Sequence, residues 1–126
     1  MNFEYSLNTN DEKKKLIIRD FSISREDICL GNPYNSSAII EVVSYNFKGE
    51  GSMIFDIKHY NKFISELKDM RTKMRGIAIF RDVSDRSYIQ MEINKYGRIV
   101  VSGLVFDDIS EQSLSFSFET DQTAIA

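Results

Sequence analysis

The chain has 126 residues, 42% hydrophobic and 28% charged, which is the size and make-up of one ordinary globular domain. Its net charge of −3 and pI of ≈ 5.2 argue against a polyanion partner. No apolar run nears the ~18 residues a bilayer crossing needs, and the start, Met1-Asn2-Phe3-Glu4-Tyr5-Ser6, lacks the basic end and apolar core of a secretory signal. Cys29 is the one cysteine, so no internal disulfide forms and a reducing cytoplasm is the expected compartment.

Residues 1–15 close on Asp11-Glu12-Lys13-Lys14-Lys15 and read as a loose arm before a single domain over 16–126. Leu16 to Ile23 has strand character, with Ile17, Phe21 and Ile23 expected on one face. Ile28-Cys29-Leu30 is a short apolar patch, in which Cys29 reads as a small core residue, and Gly31-Asn32-Pro33 ends it with turn chemistry. Ser37 to Phe47 is rich in β-branched and aromatic residues and reads as a long strand. Lys48-Gly49-Glu50-Gly51 is the expected turn, with Ser52 to Phe55 returning as the hairpin partner.

At Asp56 the period changes. Ile57, Tyr60, Phe63, Ile64, Leu67, Met70 and Met74 recur three or four apart, which predicts one helix over about 57–74. Asp56 suits its N-cap, Gly76 its stop, and Asp69 and Lys73 form an i,i+4 pair. Ile77 to Phe80 and Tyr88 to Ile93 resume extended structure. Asn94-Lys95-Tyr96-Gly97 is a tight turn into Arg98 to Phe106, where Gly103 signals a bulge or a close backbone contact. Asp107 to Gln112 is a polar connector. The last strand, Leu114 to Thr123, alternates strictly: Leu114, Phe116 and Phe118 face one way, Ser113, Ser115, Ser117 and Glu119 the other. Short links between strands demand antiparallel pairing. The expected fold is α+β: an antiparallel twisted sheet of six to eight strands with one main helix packed on it.

Charge is unevenly spread. From Ile99 onward there are five acids (Asp107, Asp108, Glu111, Glu119 and Asp121) and no Lys or Arg, whereas Lys58, Lys62, Lys68, Arg71, Lys73 and Arg75 face only Glu66 and Asp69 over 57–75. Two readings stand: two solvated faces of one domain, or an acidic surface that meets a basic partner.

Reactive chemistry is sparse. His59 is the one histidine and falls off the helix's apolar stripe; neither Cys29 nor any serine has a nucleophile context beside it. One His and one Cys make no zinc centre, and no calcium loop is spelled out. Lys48 to Ser52 lacks the lysine and the helix of a phosphate loop. No cofactor, metal or catalytic residue is expected, and the chain is not read as an enzyme.

Tyr45-Asn46-Phe47-Lys48-Gly49, the helix ending Ser65-Glu66-Leu67, then Gly76-Ile77-Ala78, Gly97 to Gly103, and Leu114 through Asp121-Gln122-Thr123 follow one another in an order that resembles the WapI-type immunity proteins of bacterial contact-dependent toxin systems and related small proteins. The resemblance covers roughly residues 16 to 123. It implies a cytoplasmic, non-catalytic protein that binds and occludes a cognate toxin domain; the charge balance and the lack of a long apolar run separately give no nucleic-acid or membrane partner as the expectation. Such families carry a helix after Asp-Gln-Thr, whereas Ala126 lies three residues on. With a basic toxin as partner, the expected contact residues are Asp107, Asp108, Glu111 and Glu119. The alternative is a small-ligand-binding or structural β-rich module.

Overall fold

A computed structural model describes residues 5–7, 13–107 and 111–121. In chain order they form β1 (Tyr5–Leu7), β2 (Lys14–Ile23), α1 (Arg25–Cys29), β3 (Ser36–Ser44), β4 (Phe47–Phe55), α2 (Ile57–Lys73), β5 (Gly76–Arg81), β6 (Tyr88–Ile93), β7 (Ile99–Phe106) and β8 (Ser113–Thr120). All pairing is antiparallel. β1 to β4 form one four-stranded meander and β5 to β8 another. They meet at a single pair, Ser52↔Phe106, to make one curled sheet in the order β1-β2-β3-β4-β7-β6-β5, with β8 on β7. The expected α+β class holds, with eight strands and one main helix.

The inner faces of both meanders and α2 share one core. Phe55 of β4 meets Phe80 of β5 edge-on, with centroids 4.8 Å apart, and Phe63 of α2 stacks on Phe80 at 5.6 Å. One ring therefore ties the two meanders and the helix together. Tyr60 packs on Phe21 at 4.9 Å, and burial pushes its hydroxyl up to about 12, so the phenol stays neutral.

α2 forms as its spacing predicts. Asp56 is the N-cap, its carboxylate accepting from Lys58 N–H at 3.0 Å, and Tyr60, Phe63, Leu67 and Met70 are buried. Lys73 pairs with Asp69 at 3.1 Å. The stop differs. Met74, not Gly76, takes the left-handed conformation (φ 56°) and returns its N–H to Met70 O at 2.7 Å; Gly76 already begins β5. Met74 thus leaves the apolar stripe and is 43% exposed.

Four other expectations are corrected. The arm expected over residues 1–15 contributes β1, whose Tyr5 pairs with Ile18, and Lys14 and Lys15 open β2; residues 1–4 and 8–12 lie outside the described part. In β2 the buried residues are Leu16 and Ile18 rather than Ile17. The register slips between Arg19 and Ser22, where Asp20 has φ 54°, and this bulge resets the alternation so that Phe21 packs on the core. The β3–β4 hairpin turns at Tyr45-Asn46, not at Lys48 to Gly51, with Ser44↔Phe47 closing the ladder and Tyr45 at φ 56°. Gly49 and Gly51 lie inside β4, where a Cβ would meet the tip of the Leu114 side chain at the first and the Phe106 carbonyl oxygen at the second. Ile28-Cys29-Leu30 does not reach the core: Ser24 caps the short α1 by accepting from Asp27 N–H, which leaves Cys29 and Leu30 exposed. At Gly103 the ladder runs unbroken on both sides, so the glycine answers to close contact and not to a bulge.

Candidate surface recess on the outer face

Three loops and two strand ends converge on the side of the sheet turned away from the core. Gly31 (φ 75°) and Pro33 turn the chain, and Asn32 accepts from Tyr34 N–H at 3.0 Å, which sets Tyr34 outward at 61% exposure. Ile54 occupies an outward position of β4 and is 50% exposed. Its carbonyl accepts from Val83 N–H at 2.9 Å, docking the 82–87 loop onto β4. That loop is organised by one carboxylate. Asp82 accepts from Ser84 Oγ and from Arg86 N–H, each at 3.0 Å, while its own N–H goes to Ser87 O at 3.1 Å. The result delivers Arg86 over the Phe106 ring, with its guanidinium carbon 4.3 Å from the centroid.

These groups line a recess of ≈ 260 Å³ together with Asp107. A second recess of ≈ 280 Å³, lined by Ile39, Glu50, Gly51 and Asp107, adjoins it. Arg19 lies on the same face, in contact with Asp20 and Glu50 and 3.9 Å from Glu41, which Lys15 also reaches at 3.4 Å. Among the described residues no carboxylate comes within ion-pair distance of the Arg86 guanidinium. The recess therefore presents a stacked cation with open N–H groups beside exposed apolar surface, with a carboxylate on its rim. Tyr and Arg are among the residue types enriched at the energetic centres of protein interfaces.

The expected contact acids do not form one patch. Asp107 sits at the recess, where its Oδ1 also accepts from Glu111 N–H at 2.9 Å and Gln112 N–H at 3.3 Å, so it shapes the β7–β8 connector as well as charging it. Glu111 is exposed beside it. Asp108 lies outside the described residues. Glu119 pairs with Val100, near the opposite end of β7 and about 20 Å from Asp107 at a strand's rise. There it accepts from the Asn94 side chain at 3.0 Å.

Comparison with known proteins finds no matching family model and no matching curated protein. Among solved structures, the chain is similar to one described as crystal structures of Trypanosoma bruciei MRP1/MRP2, at 9% sequence identity and a TM-score of 0.47, over 98% of this chain and 76% of that one.

Tyr34, Ile54, Arg86 and Phe106 were not singled out by the sequence pattern. The available signal was Tyr34 directly after a Gly-Asn-Pro turn, a large aromatic with no periodic stripe to join. His59 and Cys29 are both exposed and sit on different helices. Among the described residues no group of three or more His, Cys, Asp or Glu side chains is arranged to hold a metal ion, and no helix is long and apolar enough to cross a membrane.

Proposed function

We propose that this protein is a non-catalytic binding protein of the immunity or antitoxin type, which seats a cognate toxin domain on the outer-face recess and blocks it by occupation, in the cytoplasm. The observation that carries this reading is the convergence of exposed Tyr34 and Ile54 with the Arg86–Phe106 stack and Asp107 in one place. The resemblance to WapI-type immunity proteins supplies the class of partner. Tyr34 and Ile54 supply apolar contact area, Arg86 supplies donors to a carboxylate or a carbonyl of the toxin, and Asp107 with Glu111 meets basic groups at the rim. These two recesses lend a small-ligand module less support, because at ≈ 260 and ≈ 280 Å³ they fall below the about 300–1,000 Å³ usual for ligand sites.

The test is co-purification with the product of the gene directly upstream, followed by titration of Tyr34→Ala and Arg86→Ala. Each variant is expected to weaken binding by about tenfold or more, the size of a hot-spot loss. Full affinity in both variants would move the contact away from the recess.

A further inference from the structure

Strand β8 has an open edge. It pairs with β7 along its whole length, from Ile99↔Thr120 to Phe106↔Ser113, and among the described residues no strand pairs with its other side. Lys14 Nζ donates to the Glu119 carbonyl at 2.7 Å from across that side, so this carbonyl points away from β7. In an antiparallel strand the N–H and C=O of one residue leave on the same side, and the sides alternate along the chain. Ser113, Ser115 and Ser117 therefore turn their backbone N–H and C=O outward as Glu119 does. This is a row of alternating donors and acceptors with the spacing of a strand.

The groove beside this row has an apolar floor. The end of the β3–β4 hairpin runs on past β8, and Val42, Ser44 and Phe47 together with Leu114 and Phe116 line a groove of ≈ 260 Å³. Phe47 shares the alternation of Gly51, Met53 and Phe55, which face the core, yet it is 75% exposed. Nothing within the described chain covers it. Lys14, which also lies 5.4 Å from the Tyr45 ring, places positive charge at one end of the groove.

We infer that this groove takes one extended segment of a partner polypeptide, added as a further strand to β8. An outward row of backbone N–H and C=O groups is matched by another extended backbone and by no compact side chain or small molecule. The segment carries apolar side chains at alternate positions, to lie on the exposed Phe47 and the half-buried Leu114. Opposite Ser113, Ser115 and Ser117 it is uncharged, and at the Lys14 end it bears an acidic group, which takes the ammonium when Glu119 O gains a backbone donor. The site is separate from the outer-face recess, and its failure would leave the reading of that recess in place.

The probe is an end-blocked hexapeptide of alternating valine and threonine with glutamate at one end, titrated against the full chain while amide exchange is followed by NMR. Saturable binding is expected, with the Ser115 and Ser117 amides slowed about tenfold or more by their new hydrogen bonds. The same peptide N-methylated throughout should not bind, and lysine in place of glutamate should weaken binding. Ser117→Pro removes an outward N–H without breaking a bond to β7; it should keep the native melting temperature and lose about tenfold in probe affinity. Unchanged exchange at Ser115 and Ser117, or equal binding by the N-methylated peptide, would overturn the proposal. So would a concentration-dependent dimer that blocks the probe, since it would assign the groove to a second copy of the chain.

Discussion

Asn35, only 5% exposed, connects three parts of the chain through its side chain. Its Nδ2 donates to Asn32 O and Asp56 Oδ1, and its Oδ1 accepts from Ser36 Oγ and Ile57 N–H, at 2.8–3.1 Å. It thus joins the turn before Tyr34 to the start of α2. Asn35→Ala leaves these partners unmatched and should destabilise the protein by about 1–3 kcal/mol in urea unfolding. A loss within error would mean that water replaces the amide without cost. Burial pushes the neighbouring Asp56 carboxyl up, but the Lys58 N–H, the Asn35 amide and the charges of Lys58 and His59 outweigh it and hold the group below the usual carboxylate range. The folded value lies below the unfolded one. The stability it contributes is therefore full above about pH 4 and is lost as pH falls through the lower, folded value. Asp56→Asn should flatten the acid limb of stability against pH and leave the neutral region with the same slope. The N-cap role of Asp56 was legible because cap and apolar stripe are local in sequence. The role of Asn35 was not, since its partners come together only when β3, the 32–35 turn and α2 are in place.

Glycine shows how element boundaries were misread. Lys48-Gly49-Glu50-Gly51 has the composition of a turn, yet β4 runs straight through it and the hairpin turns at Tyr45-Asn46. The cause is packing between meanders, which a local pattern does not encode. A Cβ on Gly51 would overlap the Phe106 carbonyl oxygen at the one β4–β7 pair, and a Cβ on Gly103 would overlap the Tyr88 carbonyl oxygen and lie 2.8 Å from Phe116 Cζ. A Cβ on Gly49 meets chiefly the tip of the Leu114 side chain, at 2.7 Å. Gly51→Ala and Gly103→Ala should each cost about 1–3 kcal/mol or more in thermal or urea unfolding, because backbone must move. Gly49→Ala should cost less, as Leu114 can change rotamer. Equal losses at all three positions would contradict this ordering. Strands with clean alternation needed no such context: β6, β7 and β8 fall within a few residues of where their patterns place them, and Phe116 and Phe118 are buried as expected.

At the scale of the whole molecule, charge and contact surface divide differently from a reading along the chain. The acids after Ile99 are adjacent in sequence but are split by the length of β7, with Asp107 and Glu111 at the recess and Glu119 at the far end. If the proposed toxin partner docks at the recess, neutralising Asp107, Asp108 and Glu111 to their amides should slow association with it and flatten the salt dependence. Glu119→Gln alone should change neither. Asp107→Asn retains an acceptor for the Glu111 N–H, so the connector should persist and the effect report charge. The recess itself was illegible beforehand for a physical reason. Tyr34, Ile54, Arg86 and Phe106 come from segments spread over more than 70 residues of the chain, and their meeting depends on the single Ser52↔Phe106 pair and on the docking of Val83 onto Ile54. Amide hydrogen exchange of the chain with and without the proposed partner, obtained by co-purification, addresses the docking surface directly. Protection should rise around Tyr34 and across 82–87 and the end of β7, with the outward side of α2 unchanged. Protection confined to the lysine- and arginine-bearing face of α2, with exchange around Tyr34 and Arg86 unaltered, would show that the recess is not where the partner sits.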